Sequence, residues 1–207
     1  MDLLEKTKIH PSVASAGTMG TPVICAVART PIGRFRGVFS TMSAVELGII
    51  AVKGVIQNTG FDPSSGIIDE VLMGQVIQAG VGQNPARQAA MDAGIPKETP
   101  SYVVNQVCGS GLRSIASGYH SILSGNSNIV LAGGQESMSQ SPHVVHLRNG
   151  KKLGDTSLVD SMIKDGLWDA FNGYHMGITA ENVAQKFQVT RKDQDKFAFE
   201  SQTKALK

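Results

Sequence analysis

Cysteine, tryptophan and charge are all scarce in this 207-residue sequence: two cysteines, one tryptophan and 17 % charged residues. Two cysteines, Cys25 and Cys108, with no CxxC pattern, exclude a disulfide framework and a cysteine-based zinc site. They fit a reducing compartment, where a lone thiol can serve as a nucleophile. No apolar run approaches the roughly 18 residues of a membrane span, so no membrane partner is expected. The net charge is only +2, with Lys and Arg interleaved among Asp and Glu, and this excludes a basic stripe for nucleic acid. G-x-S-x-G, P-loop and G-x-G-x-x-G patterns are missing, so serine hydrolases, nucleotide-phosphate sites and dinucleotide sites lose their markers. Among the five histidines only His143 and His146 stand at a metal-like spacing. Neither a carboxylate nor a third ligand lies beside them in sequence, and no metal is expected. Residues 1–20 hold Asp2, Glu5, Lys6 and Lys8 but no arginine and no apolar h-region. They read as a disordered tail rather than a targeting peptide, which leans to the cytoplasm, with the mitochondrial matrix as the alternative.

What is present is a globular chain, 41 % apolar and with 23 glycines. A charged fraction below the roughly 25 % of average soluble proteins implies a large interior or a subunit interface. Residues 22–28 (PVICAVA) predict a buried strand, with Cys25 in the core. Ser43 and Glu46 form a capping-box pattern opening a helix to about Asn58. Strands are expected over 68–77, 101–107 and 128–132, with helices over 84–93 and from Gly109 to about Leu123. Strands alternating with helices in this way indicate an α/β layered domain with a mainly parallel sheet. From Met138 the pattern changes. Residues 138–175 look irregular and include a basic loop at 146–156, in which Arg148, Lys151 and Lys152 are either solvated or meet an acidic ligand or subunit. Helices are expected over 179–187 and 190–206, the second capped by Thr190 and Asp193. It is still running at Lys207 with no glycine or proline stop, the pattern of a fragment or shortened product.

The sharpest local feature is NQVCGSGL, residues 105–112. A strand runs into Cys108 and a helix opens through Gly109, Ser110 and Gly111. A helix N-terminus favours a thiolate over a thiol. The glycines let a substrate carbonyl approach the backbone, and the Cys108 N–H can bond a developing oxyanion. This is the layout of a nucleophile elbow with sulfur in place of hydroxyl. On the local pattern alone, a buried core cysteine after a strand is the alternative.

Six stretches, VARTPIGRFRG (27–37), GQNPARQAA (82–90), NQVCGSGLRS (105–114), AGGQESMSQSPH (132–143), DGLWDAFNGYHMGITAENVA (165–184) and DQD (193–195), follow one family's order and spacing. The chain resembles the N-terminal half of a thiolase, most like the biosynthetic acetyl-CoA acetyltransferases. That resemblance implies a layered thiolase-like α/β fold. Its first half-domain would span 21–137, and the start of the CoA-binding and tetramerisation loop domain 138–207. It implies Cys108 as the acyl-accepting nucleophile of a ping-pong cycle in which two acetyl-CoA condense to acetoacetyl-CoA, or the reverse thiolysis. CoA thioesters would be substrates and no other cofactor is implied. Leu167, His175 and Met176 match positions lining the pantetheine and acyl pocket, with Met176 limiting acyl length. Their plain alternatives are core packing for Leu167 and Met176 and a satisfied loop histidine for His175. The 144–156 loop resembles the family's tetramerisation loop, implying a homo-oligomer, dimer or tetramer, in lipid metabolism.

The departures concern the family's second half, which brings an NEAF-type asparagine, a GHP-type histidine and a CxG-type cysteine. None occurs in these residues, so the chain by itself is expected to lack turnover. Two rivals remain. A ketoacyl synthase also uses a cysteine at a helix start, but GQNPARQAA and YHMG fit the thiolase pattern. A non-catalytic interaction protein assembling with full-length thiolase subunits is the other.

Overall fold

The computed structural model describes residues 20–206; apart from Gly20, the tail expected over 1–20 lies outside them. Two compact units divide the chain between Ser141 and Pro142.

In the first unit a three-stranded parallel sheet has the order β2-β1-β3, with β1 Glu70–Gly74, β2 Ser101–Val104 and β3 Val130–Gly134. Val71 pairs with Ser101 on one side and Leu131 on the other. Helix α1 (Ala44–Thr59) precedes β1, α2 (Pro85–Asp92) joins β1 to β2, and α3 (Ser110–Leu123) joins β2 to β3. The two crossovers run in opposite directions along the sheet, so right-handed connections place α2 and α3 on opposite faces. Side-chain alternation agrees. Val71 and Met73 join Val52 and Ile56 of α1 and Ala86 and Ala90 of α2 in one core. Leu72, fully buried, and Gly74 turn to the other face, under α3.

Local chemistry sets the helix ends. The Ser43 side chain accepts the Glu46 N–H while the Glu46 carboxylate accepts the Ser43 N–H, closing the capping box of α1. Gly60, in the left-handed region at φ 70°, ends that helix. Asn84 caps α2 through the Arg87 N–H, and Pro85 occupies its first turn.

The strand expected over 22–28 does not form. Val23, Ile24 and Val27 are 71–77 % exposed, and no described strand offers them a ladder. The Asn58 side chain instead donates to the Val27 carbonyl at 2.9 Å, laying the segment beside α1. Cys25 is therefore exposed rather than core. The strand expected over 68–77 shortens at its end because the Val76 and Ile77 N–H groups turn to the Glu136 carboxylate, at 2.8 and 3.4 Å.

Before the break between units, the 3-10 turn Met138–Gln140 is tied back to an earlier loop. Ser139 Oγ accepts the Arg36 N–H at 2.8 Å, and Ser137 Oγ donates to the Met42 carbonyl at 2.7 Å. The second unit is more ordered than its sequence suggests. Strand β4 (His143–Val144) pairs antiparallel with β5 (Val159–Asp160), and a π-helical turn spans Met162–Leu167. Helices α4 (Met176–Phe187) and α5 (Arg191–Ala205) follow, α5 opened by a Thr190–Asp193 capping box and capped at Leu206. Among the described residues no helix is long and apolar enough to cross a membrane.

Candidate active site at the start of α3

Strand β2 ends at Val104, four residues before Cys108, rather than running to Val107. Asn105 takes over where the ladder stops, its Oδ1 accepting the Val107 N–H at 3.0 Å. Val107 then adopts φ +48°, a left-handed conformation rare for a β-branched residue. The Gly109 N–H donates to the Gln106 carbonyl at 3.0 Å and the Ser110 N–H to that of Val107 at 3.1 Å, closing the turn from which α3 starts. Cys108 stands exposed on that turn, one residue before the Gly109 N-cap. Its N–H meets no acceptor among the described residues. The positive end of the α3 dipole and this free donor together favour negative charge beside the sulfur.

Close contact with the sheet fixes where α3 begins. A Cβ on Gly74 would stand 2.5 Å from the Gly111 nitrogen and 2.7 Å from the Ser110 carbonyl oxygen. Gly134, opposite Gly74 in the ladder, also lies close to Gly111, where a Cβ on Gly134 would stand 3.3 Å from the Gly111 Cα. Further along, Gly118 faces Val130 and Ala132. The Ser114 hydroxyl, fully buried, lies 2.6 Å from the Gly133 carbonyl and 2.7 Å from that of Gly111.

A buried polar cluster braces the loop after β1. The Gln135 side-chain amide donates to Gln75 Oε1 at 2.9 Å, and the Gln75 amide to the Ile77 carbonyl at 2.9 Å. Burial raises the Glu136 carboxyl above its ordinary range, with the hydrogen bonds from Val76 and Ile77 opposing. None of Gly74, Gln75, Ser110, Gln135 or Glu136 stands out as functional in the sequence. The signal available was a glycine and a glutamine closing each of two apolar strands, MGQ at 73–75 and GGQ at 133–135.

The other candidate residues lie in the second unit. Leu167, half-buried, ends the π-helical turn. His175 is the N-cap of α4, its Nδ1 accepting the Gly177 N–H at 3.0 Å. That bond leaves the proton of the neutral ring on Nε2. The cap also starts α4 at Met176, three residues ahead of the helix start expected at Thr179. Met176, half-buried, is the first residue of that helix. His143 Nε2 lies 3.9 Å from Asp160 across β4 and β5, and among the described residues no group of three or more His, Cys, Asp or Glu could hold a metal ion.

A strained turn presenting a cysteine between a parallel strand and a helix belongs to a known class. Residues 22–207 match the family model of the thiolase N-terminal domain, and the chain belongs to the thiolase family. It is 56 % identical over 183 residues to an acetyl-CoA acetyltransferase of Rhizobium meliloti (strain 1021), covering 88 % of this chain and 46 % of that protein. It is 53 % identical over 187 residues to one from Paracoccus denitrificans, covering 90 % and 47 %. The crystal structure of the Bacillus anthracis acetyl-CoA acetyltransferase superposes with a TM-score of 0.83 at 36 % identity, over 89 % of this chain and 46 % of that one. The fold is thus the α/β thiolase fold, and the chain spans about half the length of the relatives it matches.

Proposed function

We propose that this chain carries the acyl-accepting half of an acetyl-CoA acetyltransferase, with Cys108 as the nucleophile. The observation that carries this is the exposed Cys108 on the turn into α3, its own N–H meeting no acceptor among the described residues. The Cys108 sulfur attacks the carbonyl carbon of acetyl-CoA, the oxyanion forms beside the Cys108 N–H, and the carbon–sulfur bond to CoA breaks. CoA leaves with the proton and an acetyl-cysteine remains. A second acetyl-CoA, stripped of a Cα proton, would then attack that thioester carbon. This step releases Cys108 and forms acetoacetyl-CoA.

The second step needs a base at the Cα carbon, and among the described residues no side chain hydrogen-bonds the Cys108 sulfur. The described residues by themselves are therefore expected to accept an acetyl group without turning over. Leu167, His175 and Met176 are assigned to the pantetheine and acyl pocket by resemblance to the family. For His175, the outward Nε2–H left by its capping bond is the group free to meet a ligand.

Assembly with further thiolase subunits draws support from a bare stripe on α3. Leu112, Ile115 and Tyr119, at i, i+3 and i+7, are 74, 45 and 43 % exposed, as on a helix face meant for an apolar partner.

The test is intact-mass analysis of the 207-residue chain mixed with acetyl-CoA, with Cys108→Ala as control. One acetyl group mapped to Cys108, with CoA release stopping at one equivalent per chain, is the expected result. An adduct that persists in Cys108→Ala, or a folded chain that takes none, overturns the assignment.

A further inference from the structure

We propose that Ser110 is a positioning residue for Cys108: its hydroxyl locks the Val107–Cys108 peptide so that the Cys108 N–H faces the reacting carbonyl. The proposal rests on Cys108 being the acyl acceptor. Val107 is held in the left-handed region at φ +48°, and such strain persists only where neighbours over-determine it. Two side chains do so here. Asn105 Oδ1 accepts the Val107 N–H at 3.0 Å, and the Ser110 hydroxyl donates to the Val107 carbonyl at 2.6 Å. The same Ser110 oxygen accepts the Gln106 N–H at 2.9 Å, so one buried hydroxyl spans the turn as donor and acceptor.

The bonded carbonyl of Val107 and the N–H of Cys108 belong to one planar trans peptide and point in opposite directions. Fixing the carbonyl therefore aims the N–H. Without the hydroxyl the Val107 carbonyl keeps only the longer bond from the Ser110 N–H, at 3.1 Å. From that weaker hold this peptide can rotate, relaxing Val107 and turning the donor away while leaving the sulfur exposed. Gly74 keeps the anchor in place, because the Ser110 backbone packs directly on it.

The consequence separates two reactions of the same sulfur. Acetyl transfer develops an oxyanion and needs the aimed N–H, whereas alkylation by iodoacetamide does not. The experiment measures both at Cys108 by peptide mapping, with 4-nitrophenyl acetate as a donor that needs no CoA site and Cys25 as internal reference. Ser110→Ala is expected to slow acetylation at least about tenfold and alkylation far less. Ser110→Thr, which keeps the hydroxyl, is expected to retain the wild-type ratio of the two rates. Val107→Gly removes the penalty of the left-handed turn, and in the Ser110→Ala background it is expected to restore much of the acetylation.

Equal losses in both reactions, an unchanged acetylation rate, or a further loss from Val107→Gly would each overturn the proposal. If Ser110→Ala does not fold, Asn105→Ala on the exposed side of the turn is decisive: a lowered acetylation-to-alkylation ratio supports the clasp and an unchanged ratio refutes it. A wild-type chain acetylated at Cys108 by 4-nitrophenyl acetate but not by acetyl-CoA would remove the acetyl-CoA assignment and leave the clasp standing.

Discussion

Gly74 and Ser110 touch backbone to backbone: a Cβ on Gly74 would come within 2.7 Å of the Ser110 carbonyl oxygen. The last residue of the central strand thereby sets how near the sheet the turn bearing Cys108 can sit.

Gly74→Ala should push the start of α3 off the sheet. The expected destabilisation is about 1–3 kcal/mol, as for an overpacked core, accompanied by slower acetylation of Cys108. Chemical denaturation and intact-mass kinetics check the two effects, and a variant with wild-type values in both would show that the contact relaxes freely.

Leu72, fully buried under α3, and Leu112, exposed on α3, make a controlled pair. Leu72→Ala should lose about 2–5 kcal/mol through the cavity it leaves. Leu112→Ala should stay within about 0.5 kcal/mol. A large loss at Leu112 in the isolated chain would mean that its face is covered in solution, and the concentration dependence of stability would reveal by what.

Ser43→Ala removes the cap of α1 and should cost about 1 kcal/mol, while Ser43→Gly should cost only a few tenths. The Glu46 carboxyl is held below its ordinary range by hydrogen bonds with Ser43, so the stabilisation from this pair is present at neutral pH and lost as the pH falls through that lowered range. Denaturation midpoints of the three proteins at neutral and acid pH test both parts. Equal midpoints for Ala and Gly would argue against the cap.

Glu136 carries the opposite sign. Burial raises its carboxyl in the folded state, so the folded chain binds that proton more tightly than the unfolded one. Stability from this group therefore rises as the pH falls through the raised folded value and is complete below the unfolded one. The stability of wild type relative to Glu136→Gln should increase between pH 7 and pH 4.5. A difference that does not vary over this interval would show that the two backbone donors outweigh burial.

Local signals told the truth where the physics is local. The S-x-x-E pattern of Ser43 and Glu46 and the T-x-x-D pattern of Thr190 and Asp193 both became capping boxes, because a cap involves only neighbours in sequence. PVICAVA failed for the converse reason: apolar β-branched residues make a strand only beside another strand, and none is there among the described residues. The start of α4 was missed because histidine is not among the usual capping residues. The placement of Cys108 on a turn that opens a helix was legible from its glycines and the strand before it. Gly74, Ser110 and Glu136 were not, since their roles exist only once strand, turn and helix are brought together.

The turn bearing Cys108 is nearly self-sufficient, with Asn105, Val107 and Ser110 holding one another inside a few consecutive residues. The exception is the glycine beneath it, which belongs to β1, with α2 and β2 lying between them in sequence. Anyone transplanting this turn into a foreign parallel sheet must carry that bare position along with it. A graft copied from the loop alone would reproduce every hydrogen bond on paper and still have nowhere to sit.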